Sequence, residues 1–158
     1  MTARIKVDQV EPAAYQAMLG LEKYLHKSGL DKKLLSLIKV RASQINKCAF
    51  CIDMHTQEAR KAGETEQRLY SLNAWQETPF FTPQERAALA FTEVVTLISE
   101  NAVEDELYEQ LNLYFPPHEI AQILIAITTI NAWNRISIST KLIPGSYTVE
   151  ELEKELVK

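Results

Sequence analysis

The chain has 158 residues, 46% hydrophobic and 24% charged, an ordinary globular composition and long enough for one domain with a core that needs no covalent staples. Lys and Arg number 17 against 21 Asp and Glu, a net charge of −4. No basic patch stands out, so neither nucleic acid nor an anionic membrane surface is an expected partner.

Residues 1–10 are mixed and charged, without the apolar stretch of a signal peptide. The most apolar segment, 120–138, is interrupted by Gln122, Asn131, Asn134 and Arg135, so it reads as a buried helix and not as a membrane span. A cytoplasmic location follows as the expectation. There a closely spaced cysteine pair is more often catalytic or metal-binding than a structural staple.

Helical periodicity dominates, and the chain has only four glycines. A first helix opens near Pro12 with Ala14, Met18, Leu21 and Leu25 as its apolar stripe, and Gly29 follows its end. Asp31 caps a second helix, with Leu34, Leu37, Ile38 and Ile45 facing inward. Asn46 and Lys47 mark a break, after which a third helix runs to Gly63. A short helix is expected over 64–72 and a loop over 73–81. Thr82-Pro83-Gln84-Glu85 is a capping box that starts the next helix, with Ala88, Phe91, Val95 and Ile98 inward. Asn101 precedes a helix carrying Leu107, Leu111 and Tyr114. Pro116-Pro117 then starts a long apolar helix to about Thr140, Pro144-Gly145 is a turn, and Thr148 to Glu151 opens a last, polar helix. The expected architecture is all-α, a single domain of about seven or eight helices. The long helix is apolar around most of its circumference, so a subunit interface is expected to cover part of it and the chain to form a homo-oligomer.

The chemistry concentrates in Cys48-Ala-Phe-Cys51-Ile-Asp-Met-His55, which holds both cysteines of the chain. On a helix Cys51 and His55 share a face at i and i+4, and Cys48 lies one turn behind. The thiolate is the reactive form, and a free cysteine with a pKa of about 8.5 is mostly protonated at neutral pH. A helix N-terminus favours the anion at Cys48, with Lys47 adding positive charge, whereas a proton-accepting imidazole favours Cys51. Spacing does not decide between them; the direct action of an acceptor tips the expectation toward Cys51. Oxidation of one thiolate to a sulfenic acid, followed by condensation with the other thiol, gives a disulfide that an external reductant reopens. The expected activity is a thiol-dependent peroxidase or disulfide reductase.

The run from Arg41 through the motif to Thr56 resembles the AhpD-like branch of the carboxymuconolactone decarboxylase superfamily. The similarity continues through Ala59–Gly63, Asn73-Ala74-Trp75, Glu85–Leu89 and Asn131–Arg135, and so spans about residues 10–140. The resemblance implies an all-helical fold, a trimer or hexamer, and alkylhydroperoxidase activity with Cys48 and Cys51 as redox pair and His55 in a proton relay. It implies a hydroperoxide substrate and a dithiol protein or small thiol as reductant, with no bound cofactor. Two positions depart from the family pattern. Ser36 stands where the family has a glutamate, and Phe50 where the peroxidases carry a histidine before the second cysteine. Glu85 and Glu93 are the candidate replacements for the missing carboxylate, although the capping box already accounts for Glu85.

Other readings of the same residues are a pair of inert buried cysteines, and a zinc site with Cys48, Cys51 and His55 as three ligands. A second C-x-x-C is absent, no metal is expected, and covalent haem attachment is excluded because Ile52 follows Cys51. Two further functions compete: a carboxymuconolactone-type decarboxylase, which needs no redox pair, and a non-enzymatic redox-sensing oligomer. Asp53 reads as first-turn charge complementarity. Arg135 is expected to pair with a carboxylate, and Trp75 with Phe80 and Phe81 to form core or interface.

Overall fold

The computed structural model describes residues 2–157. Among them lie nine α-helices and no strand, so the fold is all-α. They are α1 (Val7–Val10), α2 (Pro12–Lys27), α3 (Lys32–Ile45), α4 (Ala49–Lys61), α5 (Glu66–Ser71), α6 (Pro83–Thr96), α7 (Asp105–Asn112), α8 (Pro117–Thr140) and α9 (Val149–Val157). None of these helices is long and apolar enough to cross a membrane.

The centre of the fold is α3. Asp31 caps it by accepting a hydrogen bond from the Leu34 N–H at 2.9 Å, and every residue from Leu34 to Val40 is buried. Such a helix must be covered on all sides, and α4, α6 and α8 pack around it. The main core joins Leu34 and Ile38 to Ala88 and Phe91 of α6, Leu111 of α7, and Ile123 and Ile127 of α8. A second cluster gathers Leu37, Val40, Leu72, Trp75, Phe81 and Leu89. The third is small: Ala42, Cys48, Cys51 and Ile130, flanked by Phe50 and Trp133.

The expected break between α3 and α4 is a Schellman turn. Cys48 N–H donates to Ser43 O at 3.0 Å and Lys47 N–H to Gln44 O at 3.1 Å, while Lys47 takes the left-handed conformation at φ 59°. The residue that closes α3 is therefore also the N-cap of α4. The expected capping boxes also form. Thr82 and Glu85 close one at the start of α6, and Thr148 and Glu151 exchange backbone hydrogen bonds at the start of α9.

Several expectations shift. On α2 the buried set is Leu19, Glu22 and Leu25, while Ala14 and Leu21 are exposed. The stripe rotates because Glu22 turns inward to Lys39. The helix expected over 64–72 starts at Glu66, and the loop after it is partly a 3₁₀ turn, Leu72–Glu77. In that region Trp75 and Phe81 are core, as expected, and Phe80 is largely exposed. Because α6 stops at Thr96, Ile98 lies outside, and Phe115 is buried in place of Tyr114. Among the described residues Arg135 meets no carboxylate; its guanidinium donates to Asn131 O and Oδ1 on the solvent side of α8. Asp53 does more than complement the helix end, since its carboxylate accepts the Gly145 N–H at 2.8 Å and ties down the turn before α9.

Candidate active site: a buried dithiol beside an oriented histidine

Both cysteines are free thiols and 1% exposed. Cys48 is the N-cap residue of α4, and its Sγ accepts the Cys51 N–H at 3.4 Å. A helix N-terminus presents unsatisfied N–H groups and a partial positive charge, both of which favour an anion. The Cys51 thiol donates to Cys48, and this hydrogen bond, with the Cys51 N–H and the polar Asn134 and Ser137 of α8, outweighs burial and lowers the Cys48 thiol to about 7. Cys51 moves the other way. It gives its hydrogen to Cys48, it is buried, and the negative charge on its neighbour opposes a second one. Of the two sulfurs, Cys48 is the one whose surroundings favour the thiolate.

Access has the opposite arrangement. A cavity of about 380 Å³ is walled by Phe50, Cys51, Met54, His55 and Trp133, and Cys48 is not on its wall. The Cys51 thiol, with the helix-end N–H after it, favours the thiolate at Cys48, while Cys51 is the sulfur on the cavity wall beside His55.

His55 is 2% exposed, and its Nδ1 lies 2.8 Å from Glu58 Oε2. An ionised carboxylate only accepts, so in the neutral ring the hydrogen sits on Nδ1 and Nε2 keeps its lone pair. Glu58 is held in turn by Lys39 Nζ at 3.9 Å, and Lys39 by Glu22 Oε2 at 2.8 Å. The Glu22 and Lys39 side chains are 5% and 3% exposed, that of Glu58 25%. Burial on its own raises the Glu58 carboxyl, but the Lys39 ammonium and the His55 N–H outweigh it and hold the group at about 2. Burial likewise opposes the Lys39 charge, and the two carboxylates overcome it, keeping the ammonium well above its ordinary range. The row Glu22–Lys39–Glu58–His55 is therefore an ordered, charged chain that fixes the imidazole.

The remaining predicted residues lie elsewhere. Ser36 is buried, and its hydroxyl donates to Lys32 O within its own helix. Glu85 belongs to its capping box and pairs with Arg68. Glu93 accepts from Arg41 Nε at 2.8 Å and from Trp75 Nε1 at 2.7 Å. Neither Glu85 nor Glu93 lines the cavity. Phe50 does, as an apolar wall. Among the described residues no group of three or more His, Cys, Asp or Glu side chains is arranged to hold a metal ion. Sequence reasoning missed Glu58, Lys39 and Glu22. Their signals were present: Glu58 is three residues past His55 on one helix, and Glu22 and Lys39 are charges set on apolar stripes.

An all-α chain that places a C-x-x-C pair at a helix N-terminus, with a carboxylate-held histidine one turn further on, belongs to the class of helical dithiol proteins. The comparisons with known proteins narrow this class. The family model for the carboxymuconolactone decarboxylase family matches residues 12–94. The uncharacterized protein YdfG of Bacillus subtilis is 45% identical over 139 residues, covering 88% of this chain and 95% of YdfG. Among solved structures, ATU0492 from Agrobacterium tumefaciens, a protein of unknown function provisionally assigned to antioxidant defence as AhpD, superposes with a TM-score of 0.89 at 40% identity, covering 92% of this chain and all of that one. The debrominase Bmp8 superposes at 0.76 with 20% identity over 92% of this chain and 76% of its own, a likeness of fold alone. The chain belongs to the carboxymuconolactone decarboxylase family, in its AhpD-like branch.

Proposed function

We propose that the protein is a thiol-dependent peroxidase that reduces organic hydroperoxides through Cys48 and Cys51. The observation that carries this reading is the placement of Cys51 and His55 on one cavity with the Cys48 sulfur hydrogen-bonded behind. In the first step Cys51 passes its proton to the Cys48 thiolate and attacks the terminal oxygen of the hydroperoxide. The O–O bond breaks, Cys51 becomes a sulfenic acid, and His55 Nε2, whose lone pair first takes a proton from solvent, passes it to the departing alkoxide. The Cys48 thiol then attacks the sulfenic sulfur. The S–S bond forms, and the hydroxyl leaves with the Cys48 proton as water. Two electrons have moved from the dithiol to the peroxide, and an external dithiol or small thiol returns them.

Glu58 takes the place of the carboxylate missing at Ser36, as a positioning residue acting through His55. Glu85 and Glu93 have no part in this scheme. The decarboxylase reading finds less support, because the cavity wall carries Glu22 and Glu155 and, among the described residues, the exposed Lys6 as its one lysine or arginine for a carboxylated substrate. The test is turnover of cumene hydroperoxide with dithiothreitol. Replacing either cysteine by serine is expected to abolish it. Disulfide formation without turnover in the parent chain points instead to a redox-sensing oligomer and overturns the reading.

A further inference from the structure

The cavity is closed by parts of the chain that the family match does not include. Residues 12–94 carry the match, whereas Lys6 and Asp8 before it, Trp133 and Ile136 of α8, and Tyr147 and Glu155 beyond it all line the cavity. What this chain admits to its dithiol is therefore set largely outside the shared motif.

Two features of the closing segment are chemically specific. The Tyr147 hydroxyl is buried and has no hydrogen-bond partner among the described residues. A buried polar group without a partner is uncommon, and a ligand atom is one way to satisfy it. Beside it, Tyr15 donates to Glu155 Oε2 at 3.3 Å, and among the described residues no cation pairs with Glu155. Burial, and then the nearby Glu155 charge, push the Tyr15 phenol up to about 12, and burial, with the adjacent Glu155 carboxylate and Tyr15, raises Tyr147. Both phenols thus stay neutral, and the negative charge at this end stays unbalanced. Lys6 and Asp8, both exposed, offset one another. The rest of the wall is largely apolar, with Leu19, Phe50, Met54 and Trp133 prominent; it also carries His55, Glu22, whose charge is paired with Lys39, and the small hydroxyls of Ser137, Thr140 and Ser146.

We propose that this cavity selects an uncharged, largely apolar organic ligand carrying a hydroxyl or hydroperoxyl group, and that Tyr147 and Glu155 discriminate against carboxylates. A ligand hydroxyl accepts from Tyr147 and donates to Glu155. A ligand carboxylate has nothing to donate, meets the Glu155 charge, and loses its hydration on entering. Fatty acid hydroperoxides in their ionised form are therefore poor ligands, and their neutral esters or alkyl hydroperoxides good ones. The proposal rests on the cavity being the substrate site of the peroxidase reading.

Equilibrium binding tests it without needing turnover. Calorimetric titration of the reduced full chain at pH 7 with 1-decanol and with decanoate is expected to show decanol binding at least about tenfold more tightly. In Glu155→Gln the difference narrows to within about threefold, because the repelling charge is gone. In Tyr147→Phe decanol binding weakens several-fold. Decanoate binding as tightly as decanol, discrimination unchanged in Glu155→Gln, or no binding of either probe overturns the proposal. Decanol binding in a chain that turns over no hydroperoxide leaves it standing and contradicts the peroxidase reading alone.

Discussion

The sulfur whose surroundings favour the thiolate, Cys48, and the sulfur on the cavity wall, Cys51, are different atoms, and a hydrogen bond links them. Cys48 reaches a pKa of about 7 chiefly because the Cys51 thiol donates to it. Replacing Cys51 by alanine removes that donor and is expected to return Cys48 toward the ordinary thiol value of about 8.5. Alkylation rate followed against pH reads this directly; an unchanged midpoint would show that the helix end alone is responsible. Glu58 makes a second residue-scale prediction. Its carboxyl falls from 4.5 to about 2 on folding, so the folded state binds fewer protons than the unfolded one over that interval. The stabilisation is complete well above pH 4.5 and is lost as pH falls through 4.5 toward 2, a loss on the order of 3 kcal/mol. In Glu58→Gln this part of the acid limb is expected to flatten in urea titrations, and peroxide turnover to fall by about tenfold to a hundredfold, the range seen when an imidazole loses its orienting partner. Turnover equal to the parent would remove Glu58 from the relay.

At the scale of elements, the site depends on how α3 ends. The Schellman turn makes one residue both the last bonded position of α3 and the cap of α4, which aims the Cys48 sulfur at the first free N–H groups of the motif helix. That turn holds Lys47 at φ 59°, a conformation that costs a residue with a Cβ about 1 kcal/mol and glycine nothing comparable. Lys47→Gly is therefore expected to raise stability by up to about 1 kcal/mol in denaturant unfolding; destabilisation would mean that the Lys47 side chain holds the turn. Elements of this kind were legible in the sequence because their causes are local. Asp31, Pro83 with Thr82 and Glu85, Gly63, and the Thr148 box each act within four residues of their own position, and all of them form as expected. The buried charges were not legible in the same way. Glu22 pairs with Lys39 across 17 positions, and this single contact rotates the α2 stripe away from Leu21. Without knowing that α2 lies against α3, a glutamate next to an apolar stripe reads as its solvated edge. Cys48, Cys51 and His55 were legible because helical spacing alone brings them together. Glu58, three residues past His55 on an exposed-looking turn, carries no comparable signal, and the two carboxylates the sequence does single out, Glu85 and Glu93, are directed by fold topology to Arg68 and to Arg41 with Trp75.

For the whole molecule, α8 is the element that connects the core to the candidate site. One side of it completes the main core through Ile123 and Ile127. Further along, Asn134 is fully buried and binds Ser43 and Asn46, which locks the end of α3 against α8 beside the dithiol. Its outer side leaves Leu124 40% and Ile138 47% exposed, apolar surface that a second copy of the chain is suited to cover. A homo-oligomer, trimer or hexamer, is the expected outcome in multi-angle light scattering at micromolar concentration, and a monomer would contradict it. The account as a whole stands on the cysteine pair acting as one reversible two-electron centre. Its most direct test is to add one equivalent of cumene hydroperoxide to the reduced protein, count free thiols, and map any disulfide by peptide mass. The account predicts the loss of two thiols per chain, a Cys48–Cys51 bond within the same chain, and full recovery of both thiols with dithiothreitol. Thiols that persist while peroxide is consumed, or a single irreversible oxidation at one cysteine, would contradict it.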